Sequence, residues 1–221
     1  MKSKICFLVS GNGGTLKFLY HAIELGQLPY EISHVFGDKD CNALAFAKEK
    51  KIKNHQFVFD NDDWDFIMDY VVENEISLVV TNIHKIVPAK VIEKLPNRFL
   101  NLHYSLLPAY KGYIGMKTVD LAKDHKVKII GGTAHLIDEQ IDEGIIVTQG
   151  AIKVNWSVEI NEIYNDVFQV SCLAFLNAIT MLLSSHTSSK TYCDKEMPYF
   201  FSPNLQYNPA VFNTKFWKKI K

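Results

Sequence analysis

The run Ile5-Cys6-Phe7-Leu8-Val9 is apolar at every position and is followed at once by Ser10-Gly11-Asn12-Gly13-Gly14-Thr15. A strand without a polar face has to be covered on both sides, which places it inside a sheet flanked by helices. Leu16, Leu19, Tyr20 and Ile23 then recur at helical spacing, and Gly26 marks a stop. Strand, glycine turn and helix in that order bring backbone amides and a helix N-terminus to a point where an anion can bind. Gly11, Asn12, Gly13, Gly14 and Thr15 are therefore candidates for holding a phosphorylated ligand. The loop is neither Gly-x-Gly-x-x-Gly nor a Walker loop, because no Gly-Lys-Ser/Thr follows. The other reading of the same residues is a tight turn that needs positive φ.

The rhythm continues. Strands are predicted over 31–36, 56–59 and 77–81, with a helix over 43–50 between the first two. Asp60-Asn61-Asp62-Asp63 supplies a cap and first-turn acids for a helix that turns Trp64, Ile67, Met68 and Val71 to one face. Pro88 suits the first position of a further helix and Pro96 ends it. Strands alternating with helices at this interval predict an α/β fold with a doubly wound, mostly parallel sheet. Further on, 115–124 reads as a helix and 128–137 alternates, with Thr133, His135 and Ile137 on one face. Residues 145–154 read as the neighbouring strand. One long amphipathic helix covers 157–183, its stripe built from Ile160, Ile163, Tyr164, Val167, Phe168, Phe175, Ile179 and Leu182.

These elements give one α/β domain over 1–183 and a linker with an aromatic-rich extension over 184–221. The linker is the polar stretch 184–189. The extension carries Tyr192, Tyr199, Phe200, Phe201, Tyr207, Phe212, Phe216 and Trp217 without a clear period. Its rings have to bury on the body of the chain or on a second copy, which would make a homodimer.

Lysine plus arginine and aspartate plus glutamate number 24 each, so no global field favours nucleic acid or an anionic membrane. The four cysteines show no Cys-x-x-Cys, consistent with free thiols in a reducing cytosol. The N-terminal apolar run of about five residues falls short of the ~7–15 of a signal h-region. No apolar stretch approaches the ~20 residues of a membrane span. A cytoplasmic location is expected.

The chemistry concentrates in Asn101-Leu102-His103-Tyr104-Ser105-Leu106-Leu107-Pro108, with Asp142 downstream. On a strand Asn101 and His103 project together while Leu100 and Leu102 pack behind them. An amide donor and an imidazole would then share the carboxyl end of a strand, the usual mouth of an open α/β sheet. Read alone, the pair also fits a satisfied polar strand end. His103, His135 and Asp142 could alternatively hold zinc as a hydrolase, although no short paired-histidine spacing anchors them. A nucleotide-binding oxidoreductase or regulator using only the glycine loop is a further reading, with Asp38 as its nearest acidic anchor.

Three motifs in order, Ser10-Gly11-Asn12-Gly13-Gly14, Asn101-Leu102-His103-x-Ser105-Leu106-Leu107-Pro108 and His135-x-x-Asp138-x-x-x-Asp142-x-Gly144, resemble those of the folate-dependent formyltransferases. The likeness runs from about residue 4 to 183 and is nearest to the glycinamide ribonucleotide (GAR) transformylase branch. It implies a Rossmann-like sheet, 10-formyltetrahydrofolate as formyl donor, a small primary amine as acceptor, and Asn101, His103 and Asp142 as catalytic residues. It further implies a folate pocket between Ile83, His84, Lys85, Ile86 and Val87 on one side and Ile137, Asp138 and Ile141 on the other. No metal is implied. Asp142 close to His103 is expected to raise the imidazole pKa. The chain departs from the branch at Lys85, where arginine is common, and at Ser171, in the register of an acid on the long helix. It departs also at the acidic 60–63 run, where a basic residue is usual, and at Tyr104 in place of proline. Lys111 and Lys117 could restore positive charge for the acceptor. A nucleotide-linked amino sugar is the alternative acceptor.

Overall fold

The computed structural model describes residues 2–184 and 198–220. In the first half strands and helices alternate as β1 (Ser3–Val9), α1 (Gly14–Gly26), β2 (Tyr30–Gly37), α2 (Asn42–Glu49), β3 (Lys53–Gln56), α3 (Asn61–Glu73), β4 (Ile76–Asn82), α4 (Ala89–Lys94) and β5 (Phe99–His103). There follow α5 (Lys117–Asp124), β6 (Ile129–Leu136), β7 (Ile146–Lys153), α6 (Ile160–Leu183), β8 (Tyr199–Ser202), a 3-10 turn (Pro209–Val211) and α7 (Thr214–Lys218). The strand order is β3-β2-β1-β4-β5-β6-β7-β8. β1 pairs in parallel with β2 and β4, β2 with β3, and β4 with β5, while β6–β7 and β7–β8 are antiparallel. This is the mostly parallel α/β sheet that the rhythm predicts. Contacts divide the chain into two compact units, Met1–Asn101 with Ala210–Lys221, and Leu102–Pro209.

In the first unit β1 is the central strand, and Ile5, Cys6, Phe7, Leu8 and Val9 are each no more than 1% exposed. Asp60 caps α3 as expected, its carboxylate accepting the Asp63 amide at 3.0 Å, and Trp64, Ile67, Met68 and Val71 are the buried face. The third strand lies earlier than the predicted 56–59. The amides of Val58 and Phe59 donate to the Asp63 carboxylate at 3.0 and 2.8 Å, and Phe59 has φ +59°, so that stretch ties into the helix cap and leaves the sheet. Pro88 is the N-cap of α4, one position before the expected one. Three of the C-terminal rings pack on the same chain: Phe212, Phe216 and Trp217 surround the fully buried Phe18 of α1 at centroid distances of 5.7, 5.7 and 5.5 Å, whereas Phe200 is 66% exposed.

In the second unit α6 packs on β6 and β7. The predicted stripe holds only in its first half, because every residue from Val170 to Ile179 is buried. The chain after β8 covers the outer side. Asn177 donates to the carbonyls of Pro203 and Asn204 at 3.3 Å and accepts the Gln206 amide at 2.8 Å, while the Tyr207 hydroxyl donates to the Leu173 carbonyl at 2.5 Å. α6 is therefore long and apolar enough to span a bilayer, contrary to the reading of the sequence, yet 61% of its most apolar stretch is buried in the fold. β8, where the sequence shows no period, takes its register from Gln149 to Ile152 of β7. The linker from Ser185 onward and Tyr192 lie outside the described residues.

Candidate active site

The glycine loop belongs to the first unit. Gly13 is the N-cap of α1 with φ +69°, and no side chain caps the helix, so its first amides are left for another partner. A Cβ on Gly13 would lie 2.7 Å from the Ala43 Cβ, which explains the glycine twice over. Asn42 fixes the loop by donating to the Asn12 side-chain oxygen at 2.9 Å. Gly11 and Asn12 are exposed, Gly13 and Gly14 half-buried. Thr15 is buried and its hydroxyl accepts from Asn82 at 3.3 Å.

The segment after β4 is anchored to the same loop. The His84 amide donates to the Ser10 hydroxyl at 2.9 Å, and that hydroxyl donates to Asp38 at 2.8 Å. Val87 is buried and Ile83 half-buried, whereas Lys85 is exposed and Ile86 is 69% exposed. Asn101 ends the unit on β5. Its amide nitrogen donates to the Thr81 carbonyl at 2.7 Å and, at the longer distance of 3.4 Å, to the Thr81 hydroxyl, which fixes the group.

The second unit carries the imidazole and the carboxylate, and the fold brings them together. His103, 6% exposed, sets Nδ1 at 3.3 Å from Asp142 Oδ2 and Nε2 at 3.0 Å from the Tyr110 carbonyl. Asp142 Oδ2 also accepts the Gly112 amide at 2.8 Å, and Oδ1 faces His135 Nε2 at 3.6 Å, beyond hydrogen-bond range. Asp142 itself has φ +55°. The turn that delivers it closes on β6 through Gly144, where a Cβ would meet the Leu136 carbonyl at 1.8 Å. Asp138 is exposed and accepts the Gln140 amide at 2.9 Å within that loop, with Ile137 half-buried and Ile141 56% exposed.

Burial lowers the His103 pKa and outweighs the upward pull of the Asp142 charge and the Tyr110 carbonyl. Asp142 thus pulls the imidazole pKa upward as expected, and the net shift is downward because burial is the larger effect, favouring the neutral ring. Burial pushes the Asp142 carboxyl up, but the facing His135, the Gly112 amide and His103 together hold it below its ordinary value. A proton taken up by His103 finds an acceptor opposite each ring nitrogen. Among the described residues no group of three His, Cys, Asp or Glu is disposed to hold a metal ion, and both imidazoles address the carboxylate.

Residues 3–179 match the family model described as formyl transferase. The chain belongs to the formyl transferase family. A phosphoribosylglycinamide formyltransferase of Haemophilus influenzae is 31% identical over 158 residues, covering 68% of this chain and 73% of that protein. A formyltetrahydrofolate deformylase of Escherichia coli is 28% identical over 158 residues, 70% of this chain; the match spans 55% of the deformylase, about half its length. The phosphoribosylglycinamide formyltransferase of Bacillus halodurans shares the fold, with a TM-score of 0.73 at 23% identity over 83% of this chain and 96% of that one.

Within this formyl transferase the departures have structural reasons. Ser171 is fully buried against Gly132, where an added Cβ would meet its hydroxyl at 2.0 Å, so it presents nothing to an acceptor. Asp60 and Asp63 are spent on the α3 cap. Lys111 pairs with Glu143 at 2.7 Å, and Lys117 lies over the Tyr113 ring. Tyr104 leans on Phe168 at 6.4 Å. The sequence did not single out Tyr110 or Gly112, whose backbone groups complete the site. Their only signal is a position shortly after His103.

Proposed function

We propose that the protein moves the formyl group of 10-formyltetrahydrofolate to the primary amine of a small phosphorylated acceptor. The observation that carries this reading is the Asp142 carboxylate held at 3.3 Å from His103 and fixed by the Gly112 amide. Formyl transfer between nitrogens passes through a tetrahedral carbon bearing an oxyanion. It requires a donor to that oxygen, a base for the attacking amine and an acid for the departing nitrogen. Asn101 supplies the neutral donor. The amine proton enters at the Asp142 carboxylate, directly or through a water, and passes to His103 Nδ1, where the imidazolium is stabilised by Asp142 and the Tyr110 carbonyl. The same proton is then available to the leaving nitrogen. The uncapped α1 N-terminus and its glycine loop suit the acceptor's phosphate.

The test is to supply formyl-folate with GAR or with a panel of nucleotide-linked amino sugars, and to follow formylated amine by mass spectrometry. Amine-dependent release of tetrahydrofolate supports transfer, and the panel names the acceptor class. The second reading, favoured by the deformylase relative, is hydrolysis to formate; formate release without any amine selects it.

A further inference from the structure

We infer that Thr133 on β6 and Gln149 on β7 are positioning residues that hold the loop after His103, and through it the imidazole, in register; this rests on the catalytic reading of His103. Thr133 is fully buried and its hydroxyl is saturated. It donates to the Ser105 carbonyl at 2.7 Å and accepts from the Leu107 amide at 3.0 Å and from Gln149 Nε2 at 3.1 Å. Gln149, directly opposite Thr133 across the antiparallel pair, also donates to the Leu107 carbonyl at 3.1 Å. Two side chains thus bind both backbone groups of Leu107 and the carbonyl of Ser105.

The chain from there to the imidazole is short. The Ser105 hydroxyl donates to the Ala109 carbonyl at 2.5 Å, and the Ala109 amide donates to the Leu106 carbonyl at 3.1 Å. Tyr110 follows, with φ +58°, and its carbonyl faces His103 Nε2. Asp142 and His135 are the titratable groups beside the imidazole. A displaced 105–110 loop therefore withdraws one of the two acceptors that orient His103. Thr133 and Gln149 support that loop from β6 and β7, and neither is among the reacting groups.

The experiment compares Thr133→Val, Thr133→Ser and Gln149→Leu with the unaltered protein. The readouts are kcat, the donor KM, and the His103 titration by NMR of the imidazole nitrogens. Thr133→Val keeps the shape and removes the hydroxyl. A misplacement of about 1 Å costs on the order of 10²-fold, so kcat is expected to fall ~10–100-fold while the donor KM stays within about threefold. The His103 midpoint moves down as the Tyr110 carbonyl withdraws. Thr133→Ser restores both, and Gln149→Leu shifts both in the same direction by less. A folded Thr133→Val with unchanged kcat and His103 midpoint overturns the inference, as does a loss of activity that only tracks the folded fraction. If Thr133→Val does not fold, Gln149→Leu decides by the same criteria. Should the unaltered protein neither formylate an amine nor release formate from the donor, the catalytic reading fails, and the His103 titration still judges the positioning on its own.

Discussion

Replacing Asp142 by asparagine keeps the outline of the side chain and removes its charge. In the structure one oxygen serves both the Gly112 amide at 2.8 Å and His103 Nδ1 at 3.3 Å, and the other faces His135 at 3.6 Å. The single oxygen of asparagine can keep the Gly112 bond, which leaves the new amino group toward His135. The loop is retained and the proton path is lost. Positioned proton transfer contributes about 10²–10⁴-fold, so kcat should fall by that factor, about 2.7–5.5 kcal/mol of barrier at ~1.36 kcal/mol per decade. His103 also loses the charge that pulls its pKa upward, so the acid limb of the pH profile should move to lower pH. The assay is tetrahydrofolate appearance at saturating donor and acceptor, with donor affinity from tryptophan fluorescence. The reasoning predicts a collapsed kcat with donor affinity within a few-fold. Asp142→Asn turning over within about tenfold of the unaltered protein would refute it.

Asn101→Ala should lower kcat by about 10²–10³-fold through loss of the oxyanion donor, with the circular dichroism spectrum unchanged. Gly13→Ala forces a Cβ to 2.7 Å from Ala43 at φ +69°. It should destabilise the protein by more than ~1 kcal/mol in a urea titration and raise the acceptor KM more than the donor KM. His34, 3% exposed, has its pKa lowered to about 4 by burial, with His55 and Lys53 adding to it. The native state therefore binds fewer protons than the unfolded chain. This contribution is fully present above the unfolded pKa of ~6.5 and is lost as pH falls toward 4, by up to about 3 kcal/mol. Thermal denaturation against pH should flatten across that window in His34→Phe.

What could be seen in the sequence was local. The all-apolar β1, the Asp60 cap with its buried helical face, and the glycine turn before α1 follow from residues within a few positions of one another. The β3 boundary was missed because a side chain, Asp63, captured two amides that alternation assigns to a strand. The second half of α6 departs from a single stripe because the chain after β8 folds over it, a contact between residues about thirty positions apart. The three motifs pointed to His103 and Asp142, but not to the sign of the His103 shift, which depends on how deeply the ring is buried. Thr133 stood out through its alternation with His135. Gln149 did not, since its role appears only once the β6–β7 register is known.

Under the proposed function this chain passes a formyl group from a folate nitrogen to an amine. The most direct measurement uses donor labelled with ¹³C at the formyl carbon, incubated with the protein and a panel of phosphorylated and nucleotide-linked amines. Transfer puts the label in an amide of one acceptor, matched by tetrahydrofolate, and absent with Asp142→Asn. Label recovered only as formate, or left on the donor across the whole panel, would contradict it.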